Sequence, residues 1–211
     1  MADRHHDIVV AAAAGRFPPE DGSVTVVPPD ATTGLWAVLC FSAHAVVATS
    51  RSHDEVLACG ADAYGGAHNP EVLVALAGPG AWFGVLDAVL VATAGPRPGV
   101  APLPVADGYD DHHRAAYARR TRVDVEVRGD ERGLVTLGRG LGGRTELGIE
   151  LAGPGDPGAG RSLLAGALAA LPPGELVFAS CSPGNARSLR SLLAAGFRPI
   201  GSECLIRPAG A

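Results

Sequence analysis

The chain has 211 residues, 47% of them hydrophobic, and a formal net charge of −5. This length allows one large domain or two small ones, and the lack of an apolar run of about 18 residues argues against a membrane-spanning helix. The acidic balance argues against a nucleic-acid partner. All 17 basic residues are arginines, which excludes chemistry that needs a lysine, such as Schiff-base formation.

The N-terminus has a short apolar run that superficially resembles a signal peptide. Asp3 and Asp7 flank this run, and negative charges are unfavourable there for secretion. We therefore expect a cytoplasmic protein with a partly helical N-terminal arm. The four cysteines are widely separated in the sequence, which favours buried thiols over a disulfide framework.

Turn and capping signals divide the rest of the first half into short elements. Ser52 followed by Glu55 predicts a helix with a capping box, and Asn69 before Pro70 predicts a second helix through residue 77. Strands are predicted at 24–27, 35–41, 45–49 and 85–92, the middle two as a hairpin. The Pro- and Gly-rich stretch 95–104 is predicted to link an N-terminal region of unknown role, 1–105, to a second domain, 106–211.

The second half has a more regular pattern, which predicts a mixed α/β fold. A charged helix over 110–120 is followed by strands at 121–128, 134–139 and 145–151, whose short turns indicate an antiparallel meander. An amphipathic helix and a continuously apolar strand, 176–181, then complete a β-α-β crossover. A helix over 185–195 and a strand over 197–206 close the domain.

A glycine-rich loop between the strand ending at Leu151 and the following helix predicts an anion site. Backbone N–H groups at such a helix start favour a phosphate or pyrophosphate. Gly155 to Ser162 matches the nucleotide-binding P-loop except that Arg161 replaces the lysine, and arginine is not equivalent to that lysine. The next strand also ends without a carboxylate for magnesium, so this alternative is the weaker one.

The loop and the later helix led by Asn185 resemble the GNAT superfamily of N-acetyltransferases, and the resemblance covers residues 108–206. Gly158-Ala159-Gly160 fits the family's acetyl-CoA loop, and Asn185 precedes Gly196-Phe197 at the family's spacing. The resemblance implies an acetyl-CoA-dependent N-acetyltransferase whose small-molecule or peptide amine attacks the thioester directly. It implies a cofactor cleft lined by the residues Ile149, Glu150, Leu151, Gly158, Ala159, Gly160, Arg161, Ser162 and Asn185.

Within this resemblance, Glu146 is the predicted general base, because relatives often carry a glutamate on the same strand, and Glu150 is a weaker candidate. The alternative for Glu146 is a carboxylate paired with Arg144 or Arg139. Asn185 either binds the cofactor or, as the better alternative, caps its helix.

The sequence also departs from the family pattern in the loop and in the Asn-led helix. Gly155 replaces an arginine or glutamine, Asp156 adds a negative charge, and Leu192 occupies the position of a tyrosine acid. These departures keep open a second function, a catalytically inactive CoA-binding sensor or scaffold. The acceptor and the oligomeric state stay open, with a homodimer as one alternative.

Two groups of reactive residues are predicted to have structural roles. Cys181 ends an apolar strand and is expected to be a core thiol. His112 and His113 would point about 100° apart on a helix, so they are not expected to share a metal ion. No metal is predicted.

Overall fold

The computed structural model describes residues 4–153 and 157–209. Six helices and ten strands occur in these residues: α1 Arg4–Ala13, β1 Val24–Val27, β2 Trp36–Phe41, β3 His44–Ala48, α2 His53–Ala58, α3 Pro70–Ala77, β4 Trp82–Phe83, β5 Asp87–Thr93, α4 His113–Thr121, β6 Val123–Asp130, β7 Gly133–Arg139, β8 Thr145–Leu151, α5 Ala159–Ala169, β9 Leu176–Cys181, α6 Ala186–Ala194 and β10 Arg198–Arg207. Across these same residues, no helix combines the length and the apolar character needed to cross a membrane.

The chain divides into two compact units, one made of described residues 4–89 and 200–209 and the other of residues 90–199. The unit boundaries therefore fall inside β5 and β10. The Pro- and Gly-rich stretch does not act as an exposed linker, since Leu103 is buried and its amide donates to the carbonyl of Gly166 on α5. Apolar burial and this backbone bond hold the stretch within the second unit.

In the first unit, β2 and β3 form the predicted antiparallel hairpin, with β1 parallel to β3 and β10 antiparallel to β2. Ser52 and Glu55 form the predicted capping box, and Asn69 caps α3 ahead of Pro70. The sequence predicts these two helix starts because each cap residue satisfies backbone N–H groups that a helix start leaves without intrahelical partners.

In the second unit, β6, β7 and β8 form the predicted antiparallel meander, and β8 pairs in parallel with β9. The fold is thus a mixed α/β arrangement with a β-α-β crossover through α5. Leu163, Leu164 and Leu168 on α5 are fully buried, as expected for the apolar face of an amphipathic helix.

The helix predicted over 110–120 begins later, at His113, because His112 serves as its N-cap. The Nδ1 atom of His112 accepts a hydrogen bond from the amide of Arg114 at 3.2 Å. His112 therefore has extended backbone angles and lies outside the helix. Because only His113 lies in the helix, the two histidine side chains do not have to point about 100° apart.

Candidate active site

The central feature of the second unit is the point where β8 and β9 part. Their last paired residues in the described chain are Leu147 and Ala179, yet β8 continues to Leu151 and β9 to Cys181. The second half of β8 still pairs on its other side with residues 133–136 of β7. One edge of β8 is therefore without a β9 partner beyond Leu147, and an extended ligand can pair with it.

The glycine loop brings the start of α5 close to this opening. Gly158 is the N-cap residue and has φ of 96°, a left-handed conformation that glycine adopts without steric cost. The amide of Ser162 donates to the carbonyl of Gly158 at 2.9 Å, so it is already used within the helix. The predicted anion donors in the first turn are thus the amides before Ser162. Gly155 and Asp156 lie outside the described residues.

Two neighbouring clefts lie between β8, α5 and α6. The larger, of about 710 Å³, contains three arginines, Arg161, Arg187 and Arg190, around the start of α5. The smaller, of about 180 Å³, follows the second half of β8 and is lined by the residues Ile149, Glu150, Leu151, Gly153, Gly160, Asn185, Arg187, Ser188 and Ser191. Most of the predicted cofactor residues therefore line one continuous region of the second unit.

Close packing between α5 and α6 shapes these clefts. A Cβ atom on Gly160 would lie 3.0 Å from the hydroxyl oxygen of Ser191 and 3.3 Å from its Cβ. Glycine at this position lets the two helices approach, and their approach brings the arginines of α6 near the first turn of α5. The hydroxyl of Ser162 also contacts Arg132 at 2.9 Å, and Ser162 thereby fixes the end of the β6–β7 hairpin.

Asn185, Leu192 and Cys181 have structural contacts. The side chain of Asn185 accepts from the amide of Ser188 at 3.1 Å, which makes it the N-cap of α6, the better of the two predicted alternatives. Leu192, at the position of the family's tyrosine, is 1% exposed. Cys181 is buried, and its Sγ lies 3.5 Å from the carbonyl oxygen of Ser182.

Glu146 is enclosed by two guanidinium groups. Its Oε1 accepts from Nε of Arg144 at 2.8 Å, and its Oε2 accepts from Nε of Arg122 at 2.9 Å. The residue is 3% exposed, and the backbone of Gly140 comes so close that a side chain there would overlap the carboxylate. Arg144 also stacks on the ring of Phe178 at 5.4 Å. The geometry matches the predicted alternative of a paired carboxylate, with Arg122 as an additional partner.

Burial alone would raise the pKa of Glu146, but the charges and hydrogen bonds of Arg144 and Arg122 outweigh it and hold that pKa below its ordinary value. A general base needs an accessible carboxylate with a pKa close to the working pH. These two properties disfavour the base role that the sequence predicts for Glu146, which stays a prediction until turnover is measured.

Glu150 has a different environment, at the opening between the strands. It is about one quarter exposed, lines the smaller cleft, and its Oε2 lies 2.8 Å from Nε2 of His113 and 3.3 Å from Nε of Arg114. His112 stacks on His113 with ring centroids 4.6 Å apart, and its Nε2 lies 3.9 Å from Oε1 of Glu150. Sequence reasoning missed this cluster because it placed both histidines inside one helix.

The ligand atoms of His112, His113 and Glu150 lie within 4.8 Å of one another, so we tested the cluster as a metal site. The Nδ1 atom of His112 accepts from the amide of Arg114. The neutral ring therefore carries its proton on Nε2, the atom that faces Glu150, and that atom has no lone pair for a metal. The guanidinium of Arg114 beside Glu150 further disfavours a bound cation. The contacts favour a hydrogen-bonded acid–base cluster.

Comparisons with known proteins found no matching family model and no matching curated protein. Similar solved structures include a GNAT-family acetyltransferase from Colwellia psychrerythraea, 12% identical over 60% of this chain and 57% of that chain, with a TM-score of 0.37. A protein from Novosphingobium aromaticivorans assigned to the GNAT family is 19% identical over 63% of this chain and 69% of its own, with a TM-score of 0.39. A GCN5-related N-acetyltransferase from Kribbella flavida is 13% identical over 100% and 96% of the two chains, with a TM-score of 0.42.

All three structures have low sequence identities and TM-scores below 0.5, so these likenesses assign neither a family nor a function to this chain. Any functional assignment therefore depends on the geometry of the opening between β8 and β9.

Proposed function

We propose that the protein transfers an acetyl group from acetyl-CoA to an amine. The observation that carries this proposal is the parting of β8 and β9 beyond Leu147 and Ala179, next to the arginine-lined start of α5. An extended arm with an amide backbone fits the free edge of β8, and a pyrophosphate fits the helix start. CoA thioesters combine these two chemical features in one molecule.

The donor would be held mainly by backbone groups. Ile149, Glu150 and Leu151 would pair with the pantetheine arm along the smaller cleft. The amides of Ala159, Gly160 and Arg161, in the first turn of α5, would hold the pyrophosphate without requiring a lysine. Because the Ser162 amide bonds to Gly158, Ser162 is assigned to positioning the loop through its contact with Arg132.

The arginines of the larger cleft would bind the remaining phosphate charge of the nucleotide. Arg161 projects from the first turn of α5, and Arg187 and Arg190 are one turn apart on α6. Guanidinium groups form charge-assisted hydrogen bonds with phosphate oxygens, which are about twice as strong as neutral ones. These side chains therefore supply affinity for a phosphorylated donor in a chain with no lysine.

Acetyl transfer would proceed by direct attack of the amine on the thioester. Positioning of the two substrates would supply most of the rate enhancement, and backbone N–H groups near the parted strands would stabilise the oxyanion. Leu192 cannot donate a proton, so water in the cleft would protonate the departing thiolate. Glu146 is assigned a structural role as the buried ion-pair partner of Arg122 and Arg144.

The test combines titration calorimetry with acetyl-CoA and a thiol-release assay over a panel of amines. Arg190→Ala should weaken acetyl-CoA binding about tenfold, the effect of losing one charge-assisted hydrogen bond. Arg51→Ala is the matched control, because Arg51 is an exposed arginine of the first unit that pairs with Glu55. Absence of acetyl-CoA binding by the unmodified protein would contradict the proposal.

A catalytically inactive CoA sensor is the second candidate, and the buried Leu192 is the observation that favours it. A sensor would bind acetyl-CoA in the same cleft but would release no thiol with any amine. Tight binding together with absent turnover would therefore assign the protein to this class, whereas turnover with any amine would exclude it.

A further inference from the structure

Glu150 belongs both to the donor cleft and to the histidine cluster at the start of α4. The carboxylate thus connects the opening between the strands with a side chain that is 73% exposed, that of His113. We infer that His113, oriented by Glu150, takes the proton from the acceptor amine. This inference rests on the acetyl-transfer function proposed above and assigns a residue of this chain to a step for which Glu146 is poorly placed.

The contact with Glu150 determines which nitrogen of His113 can act. Nε2 lies 2.8 Å from Oε2 of Glu150, a distance at which two lone pairs would repel each other, so Nε2 carries the proton. Nδ1 of the neutral ring then keeps its lone pair and can accept a proton. A carboxylate that fixes the tautomer of an imidazole and stabilises its protonated form is a recurrent arrangement in acid–base catalysis.

The groups around His113 set the charge balance of the site. The Glu150 carboxylate contacts Nε2 of His113, Arg114 shares that carboxylate at 3.3 Å, and the ring of His112 stacks on the ring of His113. The ring of His112 accepts from the Arg114 amide through Nδ1. Glu150 is thus the negative charge in direct contact with His113.

A protonated amine gives up two protons during acetyl transfer. The ammonium loses one proton to Nδ1 of His113, and the freed lone pair forms the bond between nitrogen and the thioester carbonyl carbon. Collapse of the tetrahedral intermediate breaks the carbon–sulfur bond and yields the amide. The second proton of the attacking nitrogen passes through water to the thiolate sulfur, and the imidazolium of His113 returns its proton to solvent.

The exposure of Glu146 and of His113 supports this division of roles. Glu146 is 3% exposed and lies between two arginines, so an amine would have to break buried ion pairs to reach it. The side chain of His113 is open to solvent beside the cleft. A bound amine can therefore approach it without any rearrangement of the core.

The test is His113→Gln, which can still donate a hydrogen bond to Glu150 but cannot accept a proton. We expect kcat to fall about 100-fold, the lower range for loss of a general base, while the KM for the amine and the Kd for acetyl-CoA change less than about twofold. The fall of wild-type kcat/KM on the acid side should disappear in the variant. His53→Gln is the control, because His53 is a partly exposed histidine of the first unit that contacts the carbonyl of Val24.

The possible outcomes separate this inference from the proposed function. Wild-type turnover with an unchanged kcat in His113→Gln would overturn the role of His113 and leave acetyl transfer intact. Acetyl-CoA binding without wild-type turnover would overturn both. Loss of wild-type activity on dialysis against a chelator, with recovery on adding Zn²⁺, would assign the cluster to a metal and also overturn the inference. We expect dialysis to leave kcat unchanged.

Discussion

Glu146→Gln removes the charge that two buried arginines share. Arg144 is 1% exposed, and the side chain of Arg122 is 8% exposed, so neither guanidinium can turn to water without disrupting the sheet. Removing one partner of a buried ion pair costs about 3–5 kcal/mol, because the remaining charge is left uncompensated. The glutamine oxygen can still accept one of the two hydrogen bonds, which favours the lower end, about 3 kcal/mol.

Such a loss should lower the melting temperature by about 6–12 °C, since about 2–4 °C per kcal/mol is typical for chains of this size. The assay is thermal and urea denaturation at pH 7, with Glu126→Gln as the matched control. Glu126 pairs with Arg128 at 2.5 Å, but its side chain is 44% exposed, so its replacement should cost no more than about 1 kcal/mol.

The pH dependence of the stability that Glu146 gains from its two arginines provides a second readout. The folded pKa of Glu146 lies below its ordinary value of 4.5. Its contribution to stability is therefore present above pH 4.5 and is lost as the pH falls through the lower folded pKa. The difference in stability between wild type and Glu146→Gln should shrink in that acid range.

A different result would refute this reasoning. If Glu146→Gln leaves the melting temperature within about 2 °C of wild type while kcat falls about 100-fold or more, the size expected for loss of a general base, Glu146 is the base and the structural assignment is wrong. We expect the reverse, with a large loss of stability and a kcat within about threefold of wild type when measured well below the melting temperature.

Two further predictions concern groups outside the cleft. Burial, reinforced by the charge of Glu203, raises the pKa of Asp87 from 3.8 to about 6; the folded protein should therefore lose stability as the pH rises from about 4 through about 6, and Asp87→Asn should remove this dependence in melting curves between pH 4 and 8. Gly196 ends α6 with φ of 95°, so Gly196→Ala should cost about 1–2 kcal/mol in urea denaturation, whereas Gly184→Ala, whose added Cβ would approach Ser182 no closer than 3.9 Å, should be close to neutral. An unchanged pH profile in the first case, or equal effects of the two alanines in the second, would contradict the corresponding explanation.

Local signals predicted much of the second unit. The bounds of β8 and β9 match the predicted strands. In β8 the apolar residues Leu147, Ile149 and Leu151 alternate with other residues, β9 is a nearly continuous apolar run, and each strand is bracketed by glycine, proline or a turn. Asn185 and Gly196 mark the two ends of α6 by the ordinary rules for helix caps. Such features depend on residues a few positions apart, so they can be predicted from the sequence alone.

Arg144, two positions from Glu146, was among the predicted partners. The other partners of the two glutamates on β8 depend on long-range register and could not be read in this way. Arg122 reaches Glu146 from 24 positions away, across a bulge in β6 between Val123 and Glu126. Arg114 reaches Glu150 from 36 positions away. A shift of one residue in a strand would turn these side chains to the other face.

The start of α4 shows how a small error in a predicted helix start concealed the cluster of His112, His113 and Glu150. With a helix beginning at residue 110, His112 and His113 would point in different directions. Because His112 is the N-cap with extended backbone angles, the two rings stack and both approach Glu150. The predicted and observed arrangements of the histidines differ only in which residue caps the helix. Histidine is not among the preferred N-cap residues, so the sequence did not indicate His112 as the cap.

The central claim is that a CoA thioester occupies the opening between β8 and β9 and the first turn of α5. Amide hydrogen exchange with and without acetyl-CoA measures this most directly. The account predicts slower exchange in residues 149–151 and 158–161 of the bound protein, with β1 of the first unit, Val24–Val27, unchanged as the internal reference. Protection confined to other segments, or no change at saturating acetyl-CoA, would contradict it.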